Sequence, residues 1–292
     1  MRRVILFLML LAGLESSAFA TWSVIAVDRA TGKVVISSAT CVNNDDEFLK
    51  GVQAVVIPGV GVAACQAGVD GTHQNQLLVF NEMQKGTDPQ KIIDLLSQDP
   101  AYQTRQYGIV DLQGRMAGHS GLTNGYVTQD IHGQVPGTEI FYSIQGNILR
   151  PGNVVPNAVK AFIATKGALT DRVMAAMDAA DAAGGDSRCV CPEVKPGDPK
   201  PAIPCTAKTS HIAYILMAEP GDKDGVVDSL FAHNNGQYSL YLNVAQPSLP
   251  EQNGVTRDPG KGKIKVGENL NPVKTLRMRY DAWRKTQPAT YK

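Results

Sequence analysis

The order of strand and helix signals constrains this chain most. Two hairpin patterns come first. Trp22 to Val27 reads as a strand, Asp28-Arg29-Ala30-Thr31-Gly32 as a turn, and Lys33 to Ser38 as the return strand. Ala54 to Ile57, the Pro58-Gly59 turn and Val60 to Gln66 repeat the arrangement. Helical spacing follows. Leu77, Leu78 and Val79 suggest one helix over 75–83, and Asp88-Pro89 starts a second that buries Ile92, Ile93, Leu95 and Leu96. A third hairpin spans Gln106–Val110 and Arg115–Gly118, with Phe141–Ile144 as a further strand. Val154–Ile163 and the alanine-rich Leu169–Ala183 read as helices, and His211–Ala218 and Tyr238–Val244 as late strands. Helices that do not alternate with strands argue against doubly wound and barrel folds. They favour an α+β domain of antiparallel sheets covered by helices.

The first 20 residues have the three parts of a secretory signal: basic Arg2-Arg3, apolar Val4 to Leu14, and the small-x-small site Ala18-Phe19-Ala20. The apolar run is too short to span a bilayer. Cleavage there exposes Thr21, which carries a hydroxyl nucleophile and an α-amine on one residue. The expected organisation is a signal peptide at 1–20, a main domain at 21–245, and an irregular segment with a C-terminal helix at 246–292. In that helix Val273, Leu276 and Tyr280 share one side. The mature protein is expected in the periplasm or outside the cell.

The chain carries 28 basic and 27 acidic side chains, and the leader removes two and one of them, so the mature protein balances near neutrality. Nothing in that balance points to nucleic acid or an anionic membrane surface, and no stable membrane association is expected. Phosphate-loop, dinucleotide and metalloprotease motifs are missing from the sequence, and no cofactor is expected. His73, His132, His211 and His233 are too dispersed to argue a metal set.

Five cysteines, Cys41, Cys65, Cys189, Cys191 and Cys205, meet an oxidising compartment after export. Pairing of Cys205 with Cys189 or Cys191 would staple the Cys/Pro-rich stretch 186–209, read as an inserted surface loop. Cys41 and Cys65 lie at strand ends, where either could be an inert buried thiol.

Several ordered blocks resemble a bacterial family, the domain-of-unknown-function family 1028. They are Thr21-Trp22-Ser23-Val24-Ile25-Ala26-Val27-Asp28, Gly59 to Gln66, Arg105 to Asp111, Gly114 to Gly121, Tyr142 to Leu149, and the helix ending Gly184-Gly185-Asp186. The segment Leu122–Glu139 and the 186–209 stretch depart from its pattern. That family resembles the N-terminal-nucleophile (Ntn) hydrolases. The resemblance implies a four-layer αββα sandwich and hydrolysis of an amide in a small molecule or peptide. Thr21 would be the nucleophile and its α-amine the general base. Asn147, just beyond a strand, is the expected oxyanion donor. His119 could orient the amine or bind a substrate carboxylate. Ser38, on the strand paired with that of Thr21, could hold the amine or a water, and Gln66 is a candidate donor at the rim. The competing reading is an exported binding or structural domain on the same fold without chemistry. A serine hydrolase built on Ser120 is weaker, because Gly118-His119-Ser120-Gly121 is one residue short of the nucleophile elbow.

Overall fold

The computed structural model describes residues 21–42, 44–189, 209–223, 236–246 and 260–288. The signal segment, Cys191 and Cys205 lie outside the described residues.

The architecture is α+β, with two antiparallel sheets and helices packed against them. In the first sheet, β1 (Thr21–Asp28) lies between β2 (Lys33–Thr40) and β8 (Ile140–Asn147). Beyond β2 come β9 (Ile212–Ala218) and β10 (Leu240–Ala245), and beyond β8 comes β7 (Gln129–Gln134). The second sheet runs β3 (Ala54–Ile57), β4 (Gly61–Ala67), β5 (Arg105–Asp111) and β6 (Met116–Ser120). The β1–β2 turn forms because Asp28 accepts from the Ala30 amide and the Thr31 hydroxyl, the local bonding that makes aspartate a turn former.

Alternation along the strands sorts side chains between faces. On β1, Trp22, Val24 and Ala26 join one apolar cluster, while Ile25 and Val27 join another. The first cluster packs against α4 (Val154–Ala164), α5 (Leu169–Ala182) and α6 (Pro272–Thr286). Val273, Leu276 and Tyr280 of α6 enter it, on the side that the sequence spacing indicates. The second cluster lies between the sheets, joining Ile25, Val27, Val34 and Ile36 to Val56, Val62, Ala64 and Val110. A third sets Ala63, Ile109 and Ala117 against α2 (Gln74–Gln84) and α3 (Pro89–Leu96). The expected Asp88 cap forms, its side chain accepting from the Gln90 amide. On α2 the buried residues are Gln76, Val79, Phe80 and Met83. Leu77 and Leu78, included in the sequence spacing, are not among them.

Two elements escape the sequence reading. The six-residue helix α1 (Phe48–Gln53) is too short to display a helical period and contains Gly51. Strand β7 falls in the polar stretch 122–139, where apolar residues do not alternate. Of the two expected pairings of Cys205, the one with Cys189 is excluded, and the one with Cys191 lies outside the described residues. Cys41 bonds Cys189 across 148 residues, with a Cα–Cα distance of 5.6 Å. Proximity in sequence favoured a local pair, but the end of β2 and the segment after α5 converge in space. Cys65 is the free, buried thiol among the described residues, and burial pushes its pKa up to about 12. Residues 186–189 are also no surface loop, since Asp186 and Cys189 are buried.

Candidate active site

Thr21 opens the central strand of the larger sheet and is 2% exposed. Its ladder partners are Thr40 on β2 and Asn147 on β8, so the three residues form one row. Thr21, Ser23, Ile25 and Val27 alternate onto one face, and that face looks between the sheets. Ser38 and Thr40 share it with Val34 and Ile36, as do Ser143, Gln145 and Asn147 with Phe141. The Thr21 and Thr40 hydroxyls are 3.3 Å apart.

The opposite sheet supplies amides. Gln66 on β4 donates through Nε2 to Gln106 Oε1 at 2.7 Å and to the Thr21 carbonyl at 3.3 Å. Its Oε1 accepts from the Ser23 hydroxyl and from Gln53 Nε2, each at 2.7 Å. Gln53 in turn accepts from the Tyr214 hydroxyl at 2.8 Å, which ties α1 to β9. Gln106 Nε2 donates to Ser120 Oγ and to the Gly146 carbonyl, and Ser120 donates to Asp130. A buried, mutually satisfied chain of neutral amides holds the Thr21 end of β1 in one place. Gly108 allows the sheets to approach here, since a Cβ would lie 2.0 Å from Gln145 Oε1.

One side of Thr21 faces a narrow crevice of about 10 Å³, room for about one water molecule, lined by Thr40, Gln53 and Gln66 with Val42, Phe48 and Val69. No charged residue lines it among the described residues. Nor do those residues contain a cluster of three or more groups able to hold a metal ion. None of the described helices is long and apolar enough to cross a membrane.

Four of the five sequence candidates gather on the inter-sheet face. Thr21 and Asn147 are direct partners. Ser38 sits one row inward, opposite Ser23, with its hydroxyl donating to the Trp22 carbonyl at 2.7 Å. Gln66 is 5% exposed and is the centre of the buried network rather than a rim residue. His119 lies elsewhere. It projects from β6 with Ala117, away from Thr21, and stacks on Tyr102 with ring centroids 3.7 Å apart. Its ring nitrogen contacts the Tyr102 carbonyl at 3.2 Å, and burial lowers its pKa. Sequence reasoning missed Thr40, Gln53 and Gln106. Thr40 was legible as the residue two positions beyond Ser38 on the same strand face. Gln53 and Gln106 carried no signal, because the packing of α1 and of the second sheet brings them in.

The fold and site define an α+β protein of two antiparallel sheets with a buried hydroxyl row between them. The chain belongs to the family of unknown function DUF1028, whose model matches residues 21–191. A crystal structure of a protein from Silicibacter pomeroyi assigned to the same family is similar, with a TM-score of 0.58 and 19% identity. The match covers 93% of this chain and 88% of that one, and at such identity the likeness is one of fold. Among curated proteins none matches the chain.

Proposed function

We propose that the protein is an exported amide hydrolase of the Ntn type, with its two sheets and outer helices forming the αββα sandwich of that class. Signal cleavage exposes Thr21. The observation that carries this reading is the position of Thr21: it lies on a central strand, buried between the sheets, with Thr40 and Asn147 across the ladder.

In this reading Thr21 Oγ attacks the carbonyl carbon, and its proton passes to the α-amine. A free α-amine has an ordinary pKa of about 7.7–8.0, close to what a base needs near neutrality. The carbonyl π bond opens to an oxyanion, for which Asn147 is the donor. Collapse breaks the C–N bond, and the ammonium returns its proton to the departing amine. Water then attacks the Thr21 ester, gives its proton to the α-amine, and releases the acid as Oγ regains a proton. The gln-rich network keeps β1 fixed so that hydroxyl and amine retain their geometry. Ser38 supports the strand through Trp22, and His119 stands outside the mechanism.

The test is turnover by purified protein whose first residue has been verified as Thr21. Using a panel of acyl amides, Thr21→Ala should remove hydrolysis while leaving the fold intact, and Thr21→Ser should retain it. Undiminished turnover in Thr21→Ala refutes the nucleophile. Ligand capture without turnover in both proteins would favour the binding-domain alternative.

A further inference from the structure

Next to the Thr21 row, the ladder groups of β2 and β8 that face the lane of β1 already have partners. On β2, the Thr40 carbonyl accepts from the His211 amide at 2.7 Å, on the β9 side. A trans peptide points its N–H opposite its C=O, so the Cys41 N–H turns toward the lane of β1. There it donates to Asp186 Oδ2 at 2.8 Å. On β8's other flank the same logic applies. The Leu149 amide donates to the Val127 carbonyl, on the side away from β1, so the Ile148 carbonyl turns toward that lane. It accepts from the Ser187 amide at 3.0 Å and from the Ser187 hydroxyl at 2.7 Å. Cys41 and Ile148 are the positions that would face a residue preceding Thr21. Their ladder groups are taken by Asp186 and Ser187 instead.

Three features hold this plug. Asp186 bridges Leu149, and the Arg150 amide donates to the Gly185 carbonyl. The Cys41–Cys189 disulfide ties the segment to the end of β2. Gly185 has φ +51°, and a Cβ on it would lie 2.7 Å from the Trp22 ring, so only glycine lets the chain turn so tightly over β1.

Asp186 Oδ2 thus occupies the place that the carbonyl of a preceding residue would fill in an unbroken ladder. The group bonded to such a carbonyl is the Thr21 nitrogen. We propose that Asp186 is the positioning residue for the Thr21 α-amine, its carboxylate holding the ammonium that processing exposes and turning it toward Oγ. This rests on processing at Thr21 as proposed above. The charged groups around Asp186 are Arg188, which pairs with it at 2.8 Å, Arg150, packed against Gly184, and Asp181 on α5, bonded to Thr209 and Asn271. Burial raises the Asp186 carboxyl above the ordinary range, with Arg188 and the Cys41 amide opposing the shift. A second cation beside it favours the ionised form.

The experiment titrates the α-amine directly. Exported protein, sequenced to confirm Thr21 as its first residue, is reductively dimethylated with carbon-13 formaldehyde, and the α-dimethylamine resonance is followed against pH. The wild-type amine should titrate above the ordinary value of about 8. Asp186→Asn should lower its pKa by about one unit, a tenfold weaker hold on the proton, and Asp186→Glu should restore part of it. An amine unmoved by Asp186→Asn overturns the proposal. If that variant does not fold, a wild-type amine titrating at or below about 8 overturns it as well. The same titration in Thr21→Ala separates the two readings. Loss of the nucleophile hypothesis leaves the Asp186-dependent shift in place, whereas loss of the shift leaves turnover by Thr21 to be judged separately.

Discussion

Replacing Gln66 by leucine tests whether the inter-sheet amide network fixes the Thr21 strand. The side chain is buried and makes four hydrogen bonds, to Ser23, Gln53, Gln106 and the Thr21 carbonyl. Leucine is close in volume, so the substitution removes bonding rather than packing. It leaves the Ser23 hydroxyl, Gln53 Nε2 and Gln106 Oε1 without Gln66 in a region closed to water. An orphaned buried polar group costs about 1–3 kcal/mol. A leucine between sheets regains part of this by apolar burial, about 1.5–3 kcal/mol. The net expectation is a destabilisation of about 3 kcal/mol. Urea unfolding read by the fluorescence of buried Trp22 measures it, and with a slope near 3 kcal/mol per molar the midpoint should fall by roughly 1 M. Turnover should fall with it, because the Gln66 tie to the Thr21 carbonyl is lost. The double variant Gln66→Leu, Gln106→Leu should cost less than the sum of the single changes, since it removes an acceptor that the first change orphans. A loss under about 0.5 kcal/mol for Gln66→Leu, within the range of an ordinary surface substitution, would refute the claim that the network holds the strand.

Two further outcomes follow from buried groups. Gly108→Ala places a methyl 2.0 Å from Gln145 Oε1, so the buried Gln145 amide must shift and its bond from the Ser143 hydroxyl is disturbed. Overpacking of this kind costs about 1–3 kcal/mol, and differential scanning calorimetry should show a lower Tm for this variant. The Cys65 thiol is raised from 9.0 to about 12 by burial. Its neutral form is favoured in the folded state, so its contribution is complete below pH 9 and is lost as pH climbs from there toward 12. Between those limits wild type should lose stability faster than Cys65→Ala by about 1.4 kcal/mol per pH unit. Parallel urea curves for the two proteins at pH 9, 10 and 11 would refute the burial argument if they stay a constant distance apart.

The strand–turn–strand openings, the Asp88-Pro89 helix start and the buried side of α6 were legible in the chain because each depends on neighbours within one turn or one hairpin. So was the candidacy of Thr21, which follows from a cleavage pattern lying beside it. Ser38 and Asn147 were legible as positions near strand ends, though alternation alone could not say that both look between the sheets beside Thr21. His119 shows where local reading stops. The resemblance placed it beside the amine or a substrate carboxylate, but strand pairing assigns it to the face that packs on Tyr102. A shift of one residue in a strand reverses the side chain's face, and the partner strand, distant in sequence, decides which face meets which layer.

Local sequence order determined the elements and the residue that begins β1. Tertiary structure alone decided that Gln53, Gln66 and Gln106 meet above that residue, that Cys41 reaches Cys189, and that Asp186 fills the ladder position before it. Those contacts join segments separated by 13 residues, as between Gln53 and Gln66, by 40, as between Gln66 and Gln106, and up to 148, as in the disulfide. Hydrogen bonds and apolar burial select them only after the two sheets have packed, so no periodicity along the chain encodes them.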